Sequence, residues 1–182
     1  MRAVILSLAL AAMALPAAAQ APAAPSKEAL SLGDKAAHGA QPHLEEALHN
    51  LVQGLAVNYR TQAQAHGEAV DEKALEAVTK AEADSIKPAF WNSLARIYAD
   101  TYSVDELKAL NAFYKDNPGS PPTSLPVSLG AKNDDIVRGQ QALVNQLGPR
   151  ILQDFFGDYC SRATCSDDIR RGAGLPVKAK AN

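Results

Sequence analysis

Two cysteines, four histidines and five adjacent acidic pairs are the residues of this 182-residue chain most able to do chemistry. Cys160 and Cys165 stand in DYCSRATCSD, residues 158–167. A redox couple usually reads Cys-x-x-Cys beside a strand–helix junction, and neither that spacing nor a strand pattern is present. A zinc site needs four ligands, or three and a water, and the histidines lie far away in the chain. The expectation is a structural disulfide in an oxidising compartment, with redox and metal chemistry as the alternatives. On an unbroken α-helix, residues five apart have Cα atoms roughly 8.6 Å apart. A disulfide tolerates about 4.4–6.8 Å, so the last long helix must end near Cys160 and Ser161–Thr164 must turn.

The histidines, His38, His43, His49 and His66, are spaced by five, six and seventeen residues. Two ligands on one helix face need a spacing of three or four, and HExxH is absent, so no metal site is read. The acidic pairs are Glu45-Glu46, Asp71-Glu72, Asp105-Glu106, Asp134-Asp135 and Asp167-Asp168. Four of the five fall where a helix should begin, and there negative charge is favoured by about 0.3–1 kcal/mol. Adjacent helical residues also diverge, which argues against paired catalytic carboxylates. No Gly-x-Ser-x-Gly elbow, phosphate loop or dinucleotide fingerprint is present. No catalytic residue and no cofactor is therefore assigned. The aromatic residues Trp91, Tyr98, Tyr102, Phe113 and Tyr114 follow helical stripes, and if a binding groove exists it lies between the helices that carry them.

The elements that must position these residues read as helices. Pro42 suits a first helical position, and Leu44, Leu48, Leu51, Val52, Leu55, Ala56 and Tyr59 form one apolar stripe that Gly67 can stop. Asp71 can cap a second helix through Leu75, Val78 and Ile86, which Pro88 breaks or kinks. Phe90, Leu94, Ile97 and Tyr98 continue the pattern. YSVDELKALNAFYKDNPG, residues 102–119, carries a Ser103–Glu106 capping box, with Tyr102 and Leu107 at the positions of a hydrophobic staple. PGSPPTSLP, residues 118–126, is predicted to be an extended surface loop. Asn133 can cap a long pattern through Ile136, Gln140, Leu143, Val144, Leu147, Ile151, Phe155 and Tyr159, either one helix kinked at Gly148-Pro149 or two nearly collinear ones. The fold class is all-α, a bundle of five to six helices with a disulfide-closed C-terminal loop.

Residues 90–119, and more loosely 42–165, resemble the bacterial exported proteins of domain of unknown function 2059. The resemblance is carried by Ile97-Tyr98-Ala99, Tyr102, Asp105-Glu106-Leu107, Phe113-Tyr114, Asp116-Asn117-Pro118-Gly119, and Tyr159-Cys160 with Cys165. Asn117 stands where that family usually has Ser, and Gly119 follows Pro118 one residue early. The proline-rich loop also replaces the further helical sequence of the family. The resemblance implies an exported helical domain and brings no activity with it.

The chain opens with Arg2, an apolar run from Ala3 to Leu15, Pro16 and Ala17-Ala18-Ala19, the ordered parts of a secretory signal. Cleavage between Ala19 and Gln20 is the first expectation. The run is too short to span a bilayer, and no cysteine follows it to take a lipid anchor. The expected division is a signal peptide at 1–19, a flexible Ala/Pro-rich leader at 20–41, one helical domain at 42–168 and a flexible tail at 169–182. Removing Arg2 takes the net charge from −2 to −3. With only Arg170-Arg171, Lys178 and Lys180 as a basic tail, the chain lacks the stripe that nucleic-acid binding needs. The leading functional expectation is a periplasmic or secreted protein of a Gram-negative bacterium. It would be a non-enzymatic module binding an envelope protein or a small apolar ligand, with no integral membrane segment after cleavage. A hydrolase with a site assembled between helices and a chaperone-like assembly factor are the alternatives.

Overall fold

A computed structural model describes residues 24–177. The expected signal segment, with its Ala19–Gln20 junction, lies outside them. Among the described residues there are helices and no strand: α1 (Lys27–Ala40), α2 (Leu44–Ala65), α3 (Glu72–Thr101), α4 (Val104–Asp116), α5 (Val127–Gly130), α6 (Asn133–Arg162) and α7 (Asp167–Gly172). The all-α bundle expected from the stripes is the observed class. Its axis is α3, thirty residues or about 45 Å long, against which α1, α2, α4 and α6 pack.

The prolines inside α3 and α6 break neither helix. Pro88 and Pro149 are both exposed, as are Asp84 and Asn145, the residues whose carbonyls lose a donor. Water satisfies a carbonyl orphaned on that side, so the helix continues. Asp71 caps α3 by accepting from the Ala74 N–H at 2.9 Å. Asn133, expected to cap α6, instead occupies its first helical position behind Lys132, which makes no side-chain capping bond.

Three boundaries differ from expectation. Residues 27–40, inside the expected flexible leader, form α1, capped by the Ser26 hydroxyl accepting from the Ala29 N–H at 3.1 Å. Its buried face is Ala29, Gly33, Ala36 and Ala37, a stripe with no bulky side chain to announce it. Burial follows from close approach: a Cβ added at Gly33 would lie 2.3 Å from the Ala95 carbonyl oxygen on α3. The Asn111 side chain of α4 also donates to the Leu32 carbonyl at 3.0 Å.

The 118–126 segment is not extended throughout. Pro122–Ser124 form a 3₁₀ turn and Val127–Gly130 form α5, because Pro122 fits a first helical position and Leu129 supplies a buried anchor. The preceding turn at Gly119, φ +71°, places its N–H on the Gly39 carbonyl at 2.9 Å. The expected tail from 169 onward begins inside α7, and Ile169 and Leu175 pack against the core.

Cys160 and Cys165 are disulfide-bonded with a Cα separation of 5.4 Å. Helix α6 ends at Arg162, near Cys160 as expected, and the chain turns through Ala163 into α7.

Candidate functional site

The capping box at the start of α4 is formed: the Glu106 N–H donates to the Ser103 hydroxyl, and the Ser103 N–H donates to the Glu106 carboxylate at 2.7 Å. The carboxylate is shared. Lys132, just before α6, donates to it at 2.7 Å and sits 5.5 Å from the centre of the Tyr102 ring. The Lys132 hydrogen bond, and then the backbone bond from Ser103, hold the Glu106 carboxyl below its ordinary range. A start signal written within four residues thus also ties α4 to the entrance of α6. All five acidic pairs stand at a helix N-cap or in a first turn.

Three of the five aromatic residues expected around a groove meet. Tyr98 and Tyr102 from the end of α3 and Tyr114 from α4 line a cavity of about 230 Å³, with Leu110, Ile136 and Leu125 as apolar wall. Gln41, Ser120, Asn133 and Gln140 supply polar groups, and no lining residue carries a formal charge. Tyr98 and Tyr102 stack with ring centres 6.2 Å apart, and the Tyr102 hydroxyl donates to the Leu129 carbonyl at 3.0 Å. Neither the Tyr98 nor the Tyr114 hydroxyl has a hydrogen-bond partner among the described residues; both side chains are largely buried, but their hydroxyl oxygens stay open to the cavity. Burial raises all three phenol pKa values, that of Tyr102 to about 12, so the hydroxyls stay protonated donors at neutral pH.

Trp91 and Phe113 are elsewhere. Trp91 stacks on His38 of α1 with ring centres 3.6 Å apart, and its indole N–H is buried without a partner among the described residues. Phe113 is half-buried and packs edge-on to Tyr114 at 5.3 Å, outside the cavity lining. His43 and His49 are exposed, and among the described residues no group of three His, Cys, Asp or Glu is placed to hold a metal ion.

A second cavity, about 320 Å³, lies towards the other end of α3, between α2, α6 and α7. Tyr59 and Phe156 meet edge to face across it at 5.6 Å. Behind them the Tyr59 hydroxyl donates to that of Tyr159 at 3.3 Å, and the Asp71 N–H donates to the same oxygen at 3.1 Å. Burial first, then the bond to Tyr159, raises the Tyr59 pKa. Ser166, His66 and Asp168 all line this cavity, the residue types of a hydrolase, but they are not assembled as one. The Ser166 hydroxyl accepts from the Ile169 N–H to cap α7, Asp168 pairs with Arg171, and no serine–histidine hydrogen bond is formed among them. In the sequence Tyr59 and Tyr159 fall on two separate apolar stripes. They are one hundred residues apart, and no local pattern couples them.

Comparison with protein-family models, with curated proteins and with solved structures finds no match for this chain.

Proposed function

We propose that the protein is an exported, non-enzymatic binding module of the cell envelope, related to the family of domain of unknown function 2059. Its tyrosine-lined cavity takes a small uncharged molecule that presents hydrogen-bond acceptors. The observation that carries the reading is the pair of phenols, Tyr98 and Tyr114, whose hydroxyls open into the cavity with no partner within the described residues. A hydroxyl open to the cavity is free to donate to an acceptor on a ligand, and each such bond contributes about 0.5–1.5 kcal/mol net. The uncharged lining favours a neutral guest, because an ion would enter without a counter-charge. At about 230 Å³ the cavity is below the ~300–1,000 Å³ of drug-sized sites, so the guest is a compact one. Three of the motif tyrosines that carry the family resemblance, Tyr98, Tyr102 and Tyr114, line it together.

Export is supported by the signal-like first nineteen residues and by the disulfide, a bond of oxidising compartments. No described helix is long and apolar enough to cross a membrane. Mass spectrometry of the protein from its native envelope fraction should find an N-terminus within two residues of Gln20; an intact Met1 overturns export. For the cavity, ligand-observed NMR with benzamide and benzoate is the test. Benzamide should bind in preference to benzoate and should lose affinity in the Tyr98→Phe/Tyr114→Phe double variant. Equal binding of both probes, or no effect of the double variant, overturns the reading.

A further inference from the structure

The larger cavity differs from the first in one respect: its lining includes acidic residues and no lysine or arginine. Of its two carboxylates, that of Asp168 is neutralised by Arg171 at 2.5 Å. The other, Glu68, makes no ion pair among the described residues. Its position is set by the backbone. Gly67, at φ +67°, ends α2, its N–H donates to the Gln64 carbonyl at 3.1 Å, and the Glu68 N–H reaches back to the Ala63 carbonyl at 2.8 Å. This pair of reverse bonds is the Schellman motif, which fixes the chain direction after a helix. Glu68 is half-buried in it.

The helix that ends there adds to the negative potential. The last carbonyls of a helix carry a partial negative charge that a basic residue in the final turn commonly offsets, and the final turn of α2 has none. The nearby Arg60 is committed to Glu72 at 2.7 Å, outside the cavity. Below the rim the walls are apolar or aromatic: Leu55, Tyr59, Leu152, Phe156 and Ile169. Aromatic faces attract cations as well as apolar groups. The far wall, α7, is held against α6 by the disulfide and by Arg170 donating to the Cys160 carbonyl at 3.4 Å.

We propose that this cavity is a second binding site, for a monovalent organic cation: an ammonium group paired with Glu68 at the end of α2, its apolar body between Tyr59, Phe156 and Ile169. The inference is independent of the neutral site at the other end of α3 and stands whether or not that site is filled.

Isothermal titration calorimetry on the full chain tests it, using n-hexylammonium against 1-hexanol at low salt and pH 8. Hexylammonium should bind more tightly than hexanol, and Glu68→Gln should weaken the ammonium about fivefold, the upper end for a partly exposed ion pair, while leaving hexanol unchanged. The difference should shrink as salt is added. Tyr98→Phe/Tyr114→Phe should leave the ammonium affinity as it was, which separates this site from the neutral one. Hexanol binding as tightly as hexylammonium, Glu68→Gln without effect, or no ammonium binding at all overturns the proposal.

Discussion

Replacing Gly33 by alanine should destabilise the protein, and the same replacement at Gly54 should stabilise it. Both glycines lie inside helices, and alanine is better than glycine in a helix interior by about 0.8–1 kcal/mol. At Gly54 a Cβ meets nothing within 4 Å, so the gain is expected in full. At Gly33 the new carbon would lie 2.3 Å from the Ala95 carbonyl oxygen and 3.2 Å from the Ala99 nitrogen. Both are backbone atoms, and no side-chain rotation relieves the contact; α1 must move away from α3. Overpacking of a tight interface costs about 1–3 kcal/mol, and a backbone clash this close belongs at the upper end. Subtracting the helix gain leaves Gly33→Ala roughly 2 kcal/mol destabilising, about 3 kcal/mol apart from Gly54→Ala. Urea denaturation followed by circular dichroism, with slopes compared, measures both. If the two variants agree within about 0.5 kcal/mol, α1 is not seated on α3 as described and the expected flexible leader is restored.

Other perturbations probe separate parts. Ser103→Ala should cost about 0.5–2 kcal/mol in the same denaturation assay, the range for a lost N-cap; no change would place the start of α4 elsewhere. Tyr159→Phe removes the acceptor of both the Asp71 N–H and the Tyr59 hydroxyl, and should cost about 1–3 kcal/mol for the donors left unpaired; a cost under about 0.5 kcal/mol would show that water replaces it. Burial raises the Glu82 pKa, so the native state holds that proton more tightly than the unfolded chain does. The carboxylate form therefore costs stability above its folded pKa, and the cost disappears as pH falls below the ordinary glutamate value of about 4.3. Glu82→Gln should be more stable than the parent at pH 7 and lose that advantage by pH 4; equal midpoints at pH 7 would refute the assignment.

What could be read from the sequence was whatever is encoded over one or two turns. Ser103 and Glu106 are three residues apart, and the bond between them follows from helix geometry alone. The same holds for Asp71 and for the turn between Cys160 and Cys165, where helix rise and disulfide reach conflict. Helix α1 is not legible locally because its buried stripe is alanine and glycine, a composition shared by linkers. Those residues are core only because Ala95 and Asn111 approach from elsewhere in the chain. The tyrosine cavity was half legible: Tyr98 and Tyr102 share a face by spacing, but Tyr114 joins them only through the packing of α4 against α1 and α3. The pairing of Lys132 with Glu106, and of Tyr59 with Tyr159, had no local trace at all.

The central position of α3 bears on how the chain matures as it is synthesised from its N-terminus. The fourteen residues of α1 find their main partners in α3 and α4, and α2 also packs on α3. A helix of that length is marginal alone in water, so α1 gains a stable seat only after the chain has been made to about Asp116. Until α3 has been made, to Thr101, the first two helices lack the partner on which both pack. For a chain proposed to leave the cytoplasm, that delay has a use. On that proposed route the N-terminal half would reach the translocation machinery still threadable, before the hub that locks it is complete.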